Sequence, residues 1–143
     1  MATAEEHHSD WELGFALAYA KLPSENSEGA NVHIHLQKRL DYQDWRHYFS
    51  VGVGVEMIAN DEQHYGTMLT LGIHPLEDWS IDLSSGLEFS NHHGAWENLY
   101  ATHIETSYVF DVSEHFHLGP VIGYSRTKEA EHYSVGIHIG VPL

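Results

Sequence analysis

The chain has 143 residues, enough for one domain and one closed sheet. Six Lys plus Arg against twenty-one Asp plus Glu give a formal charge of −15, which argues against binding nucleic-acid phosphate and favours cations. Cysteine is absent, which excludes disulfides and thiolate metal sites, and the chain has no run of about eighteen apolar residues that could cross a bilayer as a helix.

A membrane protein built from strands escapes that last exclusion. Its strands need about 9–11 residues each and half of those face the lumen. The mean hydropathy of −0.35 is therefore compatible with an integral barrel. Residues 1–10, with His7, His8 and Asp10, have no periodicity and read as a flexible polar segment ahead of a single barrel domain over residues 11–143. The first six residues lack the basic start and apolar core of a signal peptide, so the chain reads as a mature segment carrying an added Met.

Alternation of apolar with small or polar residues then repeats along the chain, as in strands that present two different faces. Residues 11–21 set Trp11, Phe15, Leu17 and Tyr19 against Glu12, Gly14, Ala16 and Ala20. Residues 30–40 set Val32, Ile34 and Leu36 against Asn31, His33, His35 and Gln37, and residues 48–58 set Val51, Val53, Val55 and Met57 against Ser50, Gly52, Gly54 and Glu56. The pattern continues over residues 64–74, with Tyr65, Leu69, Leu71 and Ile73 opposite Gly66, Met68, Thr70 and His74. Residues 79–90 place Trp79, Ile81, Leu83, Leu87 and Phe89 opposite Ser80, Asp82, Ser84 and Glu88. Residues 97–110 place Tyr100, Ile104, Tyr108 and Phe110 opposite His103, Glu105 and Ser107. In residues 115–126, Phe116, Leu118, Ile122 and Tyr124 oppose His117, Gly119 and Ser125, and Pro120 should mark a bulge or irregular pairing. The last strand, residues 132–143, sets Tyr133, Val135, Ile137, Ile139 and Val141 against His132, Ser134, Gly136, His138 and Gly140.

Eight strands, an even number, let first and last pair antiparallel, so the expected fold is all-β: an eight-stranded antiparallel up-and-down transmembrane β-barrel. Long exposed loops are expected at residues 23–29, 59–63, 91–96 and 127–131 on one rim, taken as extracellular. Shorter turns at 75–78 and 111–114 fall on the other rim, with residues 41–47 an unusually long member of that set. Aromatics at both strand ends match two interfacial girdles, and the Gly/Ala/Ser-rich face suits a narrow interior better than a water-facing wall. The alternative is a soluble lipocalin-like barrel with its apolar face turned inward around a ligand.

From residue 11 to 143 these features resemble the small eight-stranded outer-membrane barrels of Gram-negative bacteria, a porin-like family that includes members of unassigned function with an acidic, His-containing start. The resemblance implies a bacterial outer-membrane location and contact with membrane lipid. It also implies a monomer whose loops can meet an extracellular partner. Such barrels usually close on an aromatic residue, whereas this chain ends Val141-Pro142-Leu143.

Fourteen histidines are the strongest compositional anomaly. His33, His35, His103, Glu105 and His138 all fall on the lumen face and form the candidate ligand set for a divalent ion such as Zn, since imidazole nitrogen with carboxylate oxygen suits that class of metal. The competing reading has these groups hydrogen-bonding each other and filling the interior. Because histidines charge near pH 6, an acid-sensitive lumen is expected as well.

The chain carries no P-loop, dinucleotide fingerprint or His-Glu-x-x-His signature and is read as non-enzymatic. Its size also resembles outer-membrane lipid A deacylases, which implies an enzyme alternative on Ser90, His92, His93 and Glu97 or on His103, Glu105 and Ser107. The functional expectation is an envelope barrel with a structural, surface-binding or minor cation-associating role, too narrow for a large pore.

Overall fold

A computed structural model describes residues 10–40, 49–60 and 63–143. The expected segment at residues 1–10 and the connection at 41–47 fall largely or wholly outside them. Among the described residues nine antiparallel strands follow in order: β1 (Trp11–Leu22), β2 (Ser27–Arg39), β3 (Phe49–Ala59), β4 (His64–Leu76), β5 (Trp79–His92), β6 (Ala95–Tyr108), β7 (Phe110–Ser113), β8 (Phe116–Thr127) and β9 (Glu131–Pro142). Each strand pairs with its neighbours, and β1 pairs with both β2 and β9, closing the sheet on itself. Strands β6 and β7 lie end to end along β8, so nine strands make eight staves and the expected barrel is present.

The break between β6 and β7 at Val109 is where Pro120 matters. Ser107 pairs with Val121 and Phe110 with Leu118, which leaves Gly119 and Pro120 opposite the interruption. Proline has no N–H to donate across that gap. The Val109 N–H bonds instead to the Asp78 carbonyl at 2.9 Å. The irregularity expected at Pro120 thus falls on the neighbouring stave, while β8 keeps its register with β9 through Pro120 opposite Ile137.

The apolar face points out. Leu17, Val53, Val55, Leu69, Ile122, Val135 and Ile137 are exposed, Leu69 at 68 %, while His33, His35, Gln37, Glu56, Asp82 and Glu88 on the alternate positions are buried. This disposes of the lipocalin-like alternative, which needs the opposite sidedness. Trp79 and Phe89 stand ten residues apart on β5. At about 3.3 Å per residue and a tilt of about 40°, that is about 25 Å along the axis, the height of an outer-membrane barrel's apolar band. At the belt edges, the Tyr124 hydroxyl donates to Glu131 at 2.8 Å, the Tyr19 hydroxyl donates to Glu28, and the Trp79 indole N–H donates to Thr106 at 2.8 Å. Each ring lies along the apolar wall with its polar atom satisfied.

The long loops expected at residues 23–29 and 91–96 are corrected to tight connections, while the one expected at 59–63 lies partly outside the described residues. Between β1 and β2 the chain turns in a single 3-10 turn, Pro23–Glu25, closed by Asn26 in the left-handed region. Lys21 and Leu22 already pair with Glu28 and Ser27. Between β5 and β6 only His93 and Gly94 remain unpaired, with φ of 53° and 90°. Positive φ at both centres is the two-residue turn that follows the strand twist, and Gly94 accepts it without strain. The gap between β2 and β3, residues 40–48, falls on the rim with the chain ends, where the sequence placed its one unusually long connection.

Replacing Leu69 with Arg puts a charge midway down the outward face and should lower the unfolding free energy in phospholipid vesicles by about 2–4 kcal/mol. Val112→Arg, outward on β7 at the rim, should cost about 1 kcal/mol or less. Equal costs in equilibrium urea titrations would contradict the membrane orientation.

Candidate functional site

Five carboxylates occupy the inward face of the staves, and imidazole is their basic partner in every ion pair found among the described residues. Several contacts cross the lumen. His33 on β2 meets Glu105 on β6 at 3.7 Å between Nδ1 and Oε2. Glu56 on β3 meets His103 on β6 and His132 on β9, with Oε1 3.6 Å from each Nε2, while the Asn31 amide donates to its other oxygen at 3.1 Å. Gln37 on β2 donates to Asp82 on β5 at 3.0 Å.

Below these, toward the rim with the chain ends, Glu12 on β1 divides its oxygens: Oε1 lies 3.3 Å from His138 Nε2 and Oε2 lies 3.2 Å from His117 Nε2. His35 sits beside them. Its ring stacks on His138 with centroids 5.1 Å apart, and His138 stacks on His117 at 5.9 Å. Near the opposite rim His64 bridges Glu88 at 3.0 Å and Glu25 at 3.2 Å. Ala20, Leu22 and Ile58 form a fully buried apolar cluster there, facing inward.

The expected ligand set does not converge on one point. His35 and His138 fall in one triad with Glu12, His103 falls in another with Glu56 and His132, and His33 pairs with Glu105. Glu12, Glu56 and His132 were visible as inward-facing in the sequence. What alternation omits is height along the axis, and height decides which inward groups meet. Of the enzyme alternatives, His103, Glu105 and Ser107 are separated: Ser107 bonds Ser80 at 2.8 Å, and the other two face different partners. Ser90 Oγ and His92 Nε2 are 3.2 Å apart at the rim.

Glycines give the imidazoles their places. A Cβ on Gly14 would stand 2.0 Å from His35 Nε2, and one on Gly140 would stand 2.0 Å from His117 Nε2. These two glycines pair with each other across β1 and β9, so the two rings lie over a strip of bare backbone.

A closed eight-stave barrel with an outward apolar belt and an ionisable core is a transmembrane β-barrel of the small outer-membrane kind. The solved structures agree: Neisserial surface protein A matches at 12 % identity and TM-score 0.65, over 93 % of this chain and 96 % of that one. The N-terminal β-barrel domain of Pseudomonas aeruginosa OprF matches at 10 % identity and TM-score 0.59, over 91 % and 96 %. Ail, the attachment invasion locus protein of Yersinia pestis, matches at 12 % identity and TM-score 0.54, over 93 % and 96 %. At these identities the likeness is one of fold. No protein-family model matches the chain, and no curated protein matches it.

Gly14→Ala should force the His35 ring aside and lower stability in detergent by about 1–3 kcal/mol, as overpacking does. Gly66→Ala is the comparison, because its Cβ would meet nothing closer than 3.6 Å and should be close to neutral. Guanidinium unfolding of both variants measures the difference.

Proposed function

We propose that the chain is a non-enzymatic outer-membrane barrel whose lumen is sealed, serving the bacterial envelope as a rigid structural or surface-binding element that associates with cations. The carrying observation is the filled interior. At mid-height the space between His33, His35, Asp82, His103 and Glu105 measures about 10 Å³, about the least that holds one water. Ala20, Leu22 and Ile58 add an apolar stopper toward the rim opposite the chain ends. Attachment, the word in the Yersinia pestis neighbour's name, fits a rigid barrel that offers polar turns to the outside. The tight connections leave little surface for it, so binding would fall to the hairpin tips with Trp96 and the exposed ends of β5 and β6. Surrounding lipid and a monomeric state accord with an apolar belt that runs round the staves.

Lipid A hydrolysis is the second reading, kept because a Ser90 hydroxyl within hydrogen-bond distance of His92 has the nucleophile and base geometry that acyl transfer requires. Mass spectrometry of lipid A after incubation with the refolded barrel should return it unmodified. Loss of an acyl chain that disappears in Ser90→Ala would replace the first reading with the second.

Planar-bilayer recordings of the refolded protein should give no stable conductance steps, whereas a heated sample should migrate differently from an unheated one in detergent gels. Regular open-channel steps carried by the heat-modifiable form would overturn the sealed-lumen reading.

A further inference from the structure

We propose that Glu12, His35 and His138 bind a divalent ion of the zinc class inside the barrel, with His117 holding the other oxygen of the Glu12 carboxylate. This goes beyond the envelope role and does not rest on it, since it depends only on the lumen.

Three observations carry the site. His35 is 4 % exposed and neither of its ring nitrogens has a hydrogen-bond partner, so one of them is free to take an ion. Leaving such groups buried and unsatisfied costs about 1–3 kcal/mol each, which a bound cation would remove for the nitrogen it takes. Secondly, the candidate ligand atoms of Glu12, His35 and His138 all lie within 4.8 Å of one another. The Glu12 Oε1 to His138 Nε2 distance of 3.3 Å matches the edge of a tetrahedron around Zn, about 3.3 Å for ligands at about 2.0–2.1 Å. Thirdly, the carboxylate's other oxygen takes the His117 contact at 3.2 Å, the arrangement in which an outer group orients a ligand.

The three ligands come from β1, β2 and β9, adjacent staves that meet at the barrel's closure. Bare backbone at Gly14 lets the His35 ring lie low enough to reach the other two. Among the described residues Glu12 keeps 29 % of its side chain exposed toward the rim with the chain ends, the side from which an ion would enter. Two imidazoles and one carboxylate leave a fourth position open for water and favour a borderline ion over Mg or Ca. The Glu56, His103 and His132 triad has the same residue types, but no nitrogen of its histidines is a buried atom left without a hydrogen-bond partner.

The test uses untagged full-length protein carrying His7→Ala and His8→Ala, refolded in detergent, stripped with chelator and titrated with Zn alone. Calorimetry should find one tight site per chain, and elemental analysis after dialysis should find one retained ion. His35→Gln and His138→Gln should lose the retained ion, His117→Ala should weaken binding by roughly 10–100-fold, and Glu56→Gln should leave it unchanged. Heat-modifiable migration confirms that each variant has folded. Retention of the ion by folded His35→Gln and His138→Gln, its loss in Glu56→Gln alone, or no retained ion in the parent would each overturn the assignment. Conductance plays no part in these readouts, so the sealed-lumen reading stands or falls separately.

Discussion

Closure of the sheet is the constraint on which everything else in this molecule depends. Hydrocarbon offers no partner to a backbone N–H or C=O, and each one left unpaired there costs several kcal/mol. The pairing of β1 with β9, in unbroken register from Glu12 opposite Pro142 to Lys21 opposite Tyr133, removes the two edges that an open sheet would expose. The break between β6 and β7, at Val109, is placed where it does little harm. Pro120 has no donor to lose, and the Val109 donor is taken up by the turn carbonyl of Asp78 at the rim.

Closing on eight staves also fixes the bore, and the bore sets the chemistry inside. The interior is so narrow that large side chains fit only where a neighbour is small, which is why His35 and His117 lie over Gly14 and Gly140. A carboxylate in this space is largely cut off from bulk water and is met by a polar partner on a neighbouring stave or across the lumen. Histidine serves that need better than Lys or Arg here, because a flat ring fills volume while one nitrogen meets a carboxylate. Removing either member of such a contact leaves the other buried without compensation, so the network locks the staves together as well as neutralising them.

Much of the barrel was legible in the sequence and some of it was not, for identifiable reasons. Period-two alternation reports which face a side chain takes, and Val53, Leu69 and Ile137 turn outward as their positions require. Loops were misjudged because polar, turn-forming residues such as Ser27, Glu28 and Asn91 read as connections, yet they continue the ladders as strand ends. A His-Gly pair is also a weaker turn signal than Asn-Gly, so the connection between β5 and β6 reads as longer than its two unpaired residues. The lumen partners were hidden for a different reason. His33 meets Glu105 across seventy-two positions of sequence, a contact set by strand stagger around the whole cylinder and not by any local spacing.

The two ends of the lumen are chemically unlike, and that asymmetry gives the interior a direction. At one end Leu22 and Ile58 are almost wholly buried and face inward, with His64 held between Glu25 and Glu88 just beneath the rim. At the other, Glu12 and His117 keep part of their surface open. An ion approaching that end meets the Glu25 carboxylate, already engaged by His64, above buried apolar side chains that offer nothing in exchange for its hydration. One approaching the open end meets a carboxylate first and imidazoles behind it. Among the described residues the interior is therefore polar and partly open beside the chain ends, and packed with apolar side chains at its far end.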